Sequence, residues 1–276
     1  FAGVLSAPPL AFSTQRESPL NSRKLSTLLM VLSLAAPAAY GQAAAAANTP
    51  APAANPVDPA SIQALKDMGS HLQSLARFRT STTLTGERVL TDGQKLQHIA
   101  YATLDAERPN KLHARMWSAR SERELFFDGK TFTIFVPAQK YYSSVEFSGT
   151  NAELVDRLEQ RSGVEIPMSD LFKWGTPAAP VDKIDSAMNA GQDFVGNDLC
   201  DHYAFRQGNF DWQIWITTGS KPLPRKLVIS SRADEARPQS VSIMDWNLKP
   251  SFNASTFRFS PPKGATKIEI VPVKSK

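Results

Sequence analysis

Residues 199–218 read LCDHYAFRQGNFDWQIWITT. Within 199–207, Tyr203 and Phe205 fall on one side of the alternation, and Cys200, His202 and Ala204 on the other. Within 210–218, Phe210, Trp212, Ile214 and Ile216 share a side. Successive side chains of a strand point to opposite faces, so this period of two predicts two β-strands, each with one oily side. The pattern recurs in 130–136 (Phe132, Ile134, Val136) and in 239–248 (Met244, Trp246, Leu248).

Working outward, Asp92-Gly93 and Asp128-Gly129 mark hairpins between 80–90 and 95–106, and between 122–128 and 130–136, since Asp-Gly supplies the positive φ that tight turns need. Further strands are expected at 110–118, 141–147, 184–195, 225–231, 239–249 and 266–272. The total is about eleven, joined as consecutive hairpins. That excludes alternating βα units and predicts a mainly β (α+β) fold with an antiparallel sheet. Helical pattern occurs first after Asp58, an N-cap followed by Pro59. There Ile62, Leu65, Met68, Leu72, Leu75 and Phe78 recur at steps of three and four. It recurs at 151–162, stopped by Gly163, and as a short turn near Pro167 at 166–172. One long helix and one short helical segment cover part of a sheet face this large. The uncovered remainder is either packed core or a ligand cavity.

The chain has 276 residues, 31 basic and 26 acidic, for a net charge of +5. Two regimes divide it: residues 1–60 hold 16 alanines, 8 of the 20 prolines and only 5 charges. Arg23 and Lys24 precede an apolar stretch at 25–36 and a run of small residues at 37–43, the form of a cleaved signal peptide. Residues 1–41 are therefore expected to be leader; 1–22, ahead of the basic pair and beginning with Phe1, are expected to mark a fragment or a misplaced start. Residues 42–57, rich in Ala and Pro, are expected to be an extended tether. A single β domain is expected over 58–276. The lone cysteine, Cys200, lies far from the leader, so the expectation is a periplasmic protein without a lipid anchor. Without residues 1–41 the charge is +3, too small to imply nucleic acid or an anionic membrane surface. One cysteine also excludes a disulfide scaffold.

Little in the sequence carries covalent chemistry. His71, His98, His113 and His202 form no metal-ligand spacing, so no metal or cofactor is expected. His98 and His113 could meet across neighbouring strands, though as surface or hydrogen-bonded groups. Cys200 and His202 share a strand face, a nucleophile pair in principle. Their spacing is long for a hydrogen bond, and a lone cysteine is commonly a small buried hydrophobe. Asp198 and Asp201 flank Cys200 and read as a strand start and an exposed residue.

Ile166-Pro167-Met168-Ser169-Asp170-Leu171, Cys200-Asp201-His202-Tyr203-Ala204-Phe205-Arg206, Asp211-Trp212-Gln213-Ile214-Trp215-Ile216, Pro222-Leu223-Pro224-Arg225-Lys226-Leu227-Val228-Ile229 and 257–265 (FRFSPPKGA) follow in order, with Phe126-Phe127-Asp128-Gly129-Lys130 upstream. Together, over roughly 60–272, they resemble a predicted periplasmic family of unknown function, whose sheet is similar to that of the lipoprotein carriers LolA and LolB. The resemblance implies a strongly curved antiparallel half-barrel with a helical lid over an apolar cavity, which in the carriers holds acyl chains. The expected function is binding of an apolar ligand, a lipid or lipoprotein acyl chain, by a carrier or sensor without covalent chemistry. Cavity-lining residues are expected to be Leu112, Met116, Phe127, Phe132, Ile134, Tyr203, Phe205, Trp212, Ile214, Ile216, Met244 and Trp246. Lid residues are expected to be Leu65, Met68, Leu72, Leu171 and Phe172. Two alternatives stay open: an envelope interaction module with a packed barrel that binds a partner protein, and a hydrolase built on Cys200 and His202.

Overall fold

The structure, a computed structural model, describes residues 56–161, 166 and 168–269. The expected leader, all but the last two residues of the tether, Gly163, Pro167 and the end of the last expected strand lie outside them.

The first element is helix α1 (Pro59–Ser74). Asp58 caps it, accepting from the backbone N–H groups of Ala60 and Ser61 at 3.2 and 3.0 Å and from the Ser61 hydroxyl at 2.6 Å. These bonds satisfy amides that a helix start leaves without partners. The helix ends at Ser74, with Leu75 extended as its C-cap. The apolar stripe read from the sequence therefore runs past the helix. Phe78 belongs to the following strand and keeps the spacing because its ring packs in the same core, 6.3 Å from Phe172.

Six strands follow: β1 (Arg77–Val89), β2 (Lys95–Glu107), β3 (Lys111–Trp117), β4 (Glu122–Phe127), β5 (Thr131–Val136) and β6 (Tyr141–Glu146). Both Asp-Gly turns form as expected: Gly93 and Gly129 have φ of +86° and +93°, and Asp128 accepts from the amides of Lys130 and Thr131. Helix α2 (Asn151–Arg161) comes next. Its start carries a capping box that the sequence reading missed: Glu153 N–H donates to the Thr150 hydroxyl, and Thr150 N–H donates to the Glu153 carboxylate. A 3-10 turn at Ser169–Phe172 takes the place of the expected second helical turn. The remaining strands are β7 (Ser186–Val195), β8 (Asp198–Gln207), β9 (Phe210–Thr217), β10 (Pro224–Ser231), β11 (Gln239–Asn247) and the short β12 (Thr266–Lys267).

All twelve join one curved open sheet in the order β12-β6-β5-β4-β3-β2-β1-β11-β10-β9-β8-β7. It consists of two meanders, β1–β6 and β7–β11, fused where β1 pairs antiparallel with β11. β12 adds to β6 in parallel. At the other edge Val57, expected in the tether, bridges to Ala187 of β7.

One face of the sheet carries α1, α2 and the 3-10 turn, and their apolar sides merge with it into one core. Leu65, Met68 and Leu72 of α1 and Leu154 and Val155 of α2 are fully or almost fully buried there. Burying each such side chain contributes roughly 1.5–3 kcal/mol. α1 approaches the loop after the 3-10 turn backbone to backbone: a Cβ on Gly69 would fall 2.7 Å from Gly175 Cα and 2.9 Å from the Trp174 carbonyl carbon. The Gln73 amide donates to the Trp174 carbonyl at 2.6 Å beside this crossing.

The opposite face is partly covered by the segment after β11. Its Phe259 ring lies 5.5, 5.2 and 5.0 Å from those of Phe126, Phe135 and Tyr142, and the Arg79 guanidinium lies over Phe252. Beside these rings Asp105, almost fully buried, takes a bidentate pair of bonds from Arg79 at 2.5 and 2.7 Å. His113 sits between Asp105 (3.8 Å) and Glu124 (3.2 Å).

Candidate functional site

Residues directly opposite in an antiparallel pair share a face, so the register shows which side chains meet. Leu112 stands opposite Phe127, and Phe127 opposite Phe132; Ile134 is opposite Leu125, itself opposite Ala114. Met116 connects through Ala102 and Thr82 to Met244, and Trp246 is opposite Thr80. In the other half Ile214 is opposite both Tyr203 and Leu227, Trp212 opposite Phe205 and Ile229, and Ile216 opposite Asp201. All twelve residues expected to line a cavity therefore lie on one face, the face that bears the helices.

On that face they pack. Leu112, Phe127 and Phe132 are fully buried, and Trp212, Ile214, Ile216, Phe205, Met244 and Tyr203 nearly so. Ile134 and Trp246 are half-buried against the same core, and Met116 is half-buried. The Trp212 ring stacks on Phe205 at 4.1 Å. The Trp246 indole N–H donates to the Pro224 carbonyl at 2.8 Å, and its ring lies 5.5 Å from Phe78. The five expected lid residues are buried against these side chains. Phe78 of the expected apolar stripe and Trp174 join them, as do Leu104, Leu125 and Phe147, and Leu154 and Leu158 of α2, which were not among the expected lining or lid residues. The spacing of Leu154 and Leu158, four apart on a capped helix, was the available signal for α2.

The face opens at the rim of α1. A cavity of about 470 Å³ lies between Ala64, Asp67, Ser70 and His71 of the helix and Asp201, Tyr203, Ile216 and Thr217 of β8 and β9, closed by Gly219, Ser220 and Pro222. Tyr203 and Ile216 thus belong both to the core and to this opening. A smaller cavity, about 210 Å³, lies on the opposite face around Phe259. At the far end of α1, Arg108 donates from Nη2 to the Leu72 carbonyl at 3.3 Å, and its guanidinium lies 5.5 Å from the Phe172 ring centre. Its Nε is buried without a partner, and burial holds its pKa below the ordinary arginine value.

The nucleophile pair does not assemble. Cys200 is fully buried beside Val195, Trp215 and Val228 on the face away from the helices. Burial first, then Asp198, pushes its pKa up to about 11, the reverse of what an attacking thiol needs. His202 stacks flat on Trp215 at 4.0 Å and shares a 2.9 Å hydrogen bond with Gln213. His98 and His113 lie on opposite faces: His98 is opposite Gly86 on the helix side, and His113 is opposite Asp105 on the other. Among the described residues no group of three His, Cys, Asp or Glu side chains gathers to hold a metal.

A family described as "Predicted periplasmic protein (DUF2092)" matches residues 61–271, which contain all the motifs quoted above. No curated protein matches the chain. Among solved structures, LprF from Mycobacterium bovis is 12% identical, with a TM-score of 0.42 over 77% of this chain and all of that one. The Mycobacterium tuberculosis lipoprotein LppX is 9% identical, with a TM-score of 0.37 over 71% of this chain and all of that one. A LolA superfamily protein from Nitrosomonas europaea is 10% identical, with a TM-score of 0.35 over 72% of this chain and 97% of that one. No helix among the described residues is long and apolar enough to cross a membrane. The chain belongs to the DUF2092 family of predicted periplasmic proteins.

Proposed function

We propose that this periplasmic protein binds the apolar part of a lipid, or the acyl chain of a lipoprotein, between α1 and the sheet, and carries or senses it without a covalent step. One observation supports this above the rest: aromatic and aliphatic side chains from both meanders converge on the single face beneath α1, and that face opens beside Tyr203 and Ile216. In the closed arrangement the helix itself fills the face. The burial of Leu65, Met68 and Leu72 amounts to about 5–9 kcal/mol in all. A chain that slid under α1 would replace those contacts one for one. Binding would therefore exchange one apolar cover for another, and its net strength would be far below what buried area alone implies.

Native mass spectrometry of protein taken from a bacterial periplasm, with lipid extraction, tests this. A stoichiometric apolar adduct, or uptake of added fatty acid or lipopeptide, is expected. A bare mass with no uptake overturns it. One further observation favours the partner-binding alternative. Ile99, Tyr101 and Ile243 are 53%, 43% and 41% exposed. They lie together on the face away from α1, with Tyr101 and Ile243 both opposite Thr83. Under that reading a photo-crosslinker at Ile243 joins one periplasmic protein; without such a product the reading is lost.

A further inference from the structure

The cavity at the rim of α1 differs in character from the face it leads to. Its inner wall, Tyr203 and Ile216, is core, whereas its outer walls are polar: Asp67, Ser70 and His71 from α1, and Asp201 and Thr217 from the strands. The Asp67 carboxylate accepts a bond from the Gln63 amide, and the Asp201 carboxylate one from Gln192. Both donors are neutral, and among the described residues neither carboxylate forms an ion pair. A chain with a net charge of +5 thus places two carboxylates at one opening. Burial raises the Tyr203 pKa, and Asp201, Asp58 and Asp67 raise it further. His71 Nε2 is buried and has no hydrogen-bond partner. Burial and the neighbouring Lys221 lower the His71 pKa, which disfavours the imidazolium form. Lys221, on the same loop as Ser220 and Pro222, is the opposing charge nearby.

We propose that this cavity receives the positively charged ammonium head of an amphiphile whose apolar chain passes Tyr203 and Ile216 to lie under α1. The assignment deepens the apolar-ligand reading above and rests on it. Asp67 and Asp201 supply the charge, and the tyrosine ring offers its negative face to a cation. An anionic head would meet two like charges, and a neutral head would leave both carboxylates with nothing gained. The volume, about 470 Å³, is within the range of small-ligand pockets.

Three amphiphiles with one chain and different heads test this: dodecylammonium, dodecanol and dodecanoate. Binding to the whole protein is measured calorimetrically at neutral pH, below the micelle concentration of the two ions and the solubility limit of dodecanol. The ammonium is expected to bind about tenfold or more tightly than the carboxylate. In Asp67→Asn/Asp201→Asn that preference is expected to fall close to unity. Asp67 is exposed, so Asp67→Asn alone is a second variant that leaves the core untouched, and it is expected to lose part of the preference. Equal binding of all three heads, tighter binding of dodecanoate, or a preference that survives the substitutions overturns the head-group assignment and leaves apolar binding standing. No binding of any of the three overturns both readings.

Discussion

Gly69→Ala is the substitution for which helix propensity and packing predict opposite signs. Inside a helix, alanine is more favourable than glycine by about 1 kcal/mol, so at an open position the change stabilises. At Gly69 the new methyl would fall inside van der Waals distance of Gly175 N, 2.7 Å from Gly175 Cα and 2.9 Å from the Trp174 carbonyl carbon. Every one of those atoms is backbone, so no rotamer change relieves the overlap. Carbon atoms rest at about 3.5–4 Å, so α1 must move out by about 1 Å. Such overpacking costs about 1–3 kcal/mol. Set against the propensity gain of about 1 kcal/mol, the net loss is up to about 2 kcal/mol, and with roughly 2–4 °C per kcal/mol for a domain of this size the melting temperature should fall by up to about 8 °C. Differential scanning calorimetry measures it. Gly86→Ala, where an added Cβ meets nothing within 4 Å, is the control. The same displacement loosens α1 over Leu65 and Met68, so a fluorescent fatty acid should be taken up faster by Gly69→Ala. A rise in melting temperature of the size propensity predicts would refute the crossing. A fall without faster uptake would refute α1 as the element a ligand displaces.

The Arg79–Asp105–His113–Glu124 group gives stability a two-sided pH dependence. Burial lowers the His113 pKa, but Asp105 and Glu124 more than offset it and the net direction is above 6.5. Its stabilisation is complete below 6.5 and is lost as pH rises through the folded-state value. For Asp105 burial acts upward, yet Arg79 and His113 hold the pKa below 3.8, so that contribution is present above 3.8 and fades as pH falls. Thermal melts across pH should peak between these limits, and His113→Gln should remove the alkaline-side decline; a variant curve parallel to the native one contradicts this. With a pKa of about 11, Cys200 is about 0.1% thiolate at pH 8, so iodoacetamide should alkylate the native protein about a hundredfold more slowly than the urea-unfolded chain. Equal rates would show an open thiol. Trp212→Ala removes a buried ring stacked on Phe205 and should cost about 3–5 kcal/mol in urea unfolding; a loss under about 1 kcal/mol would mean the face is not packed as described.

Much of the fold is local, and local patterns are legible. Asp92-Gly93 and Asp128-Gly129 specify hairpins because few other pairs accept that backbone, and alternation in 199–218 assigns each side chain a face. Asp58 and Pro59 announce a helix because a helix start needs an acceptor and tolerates a missing amide. The same period puts Ile134, Trp212 and Met244 each on the oily side of its own strand. What alternation cannot say is which oily sides meet. That the β1–β6 and β7–β11 meanders fuse through β1 and β11, bringing Leu112 and Trp212 under one helix, depends on pairing residues some 160 positions apart, such as Thr82 and Met244. No short-range rule carries that. Nor does the stripe Ile62–Phe78 reveal its own break at Ser74, since Phe78 fills the same core from a strand. The glycine crossing of Gly69 with Gly175 and the pairing of Asp67 with Asp201 at one opening are likewise invisible in sequence, because each exists only where distant backbone segments are pressed together. Sequence by itself determined the element types, the hairpin turns, the apolar face and the family. Tertiary structure alone decided how that face is covered, that the thiol is buried and basic, and where the opening lies, because burial and electrostatic field are properties of neighbours in space rather than along the chain.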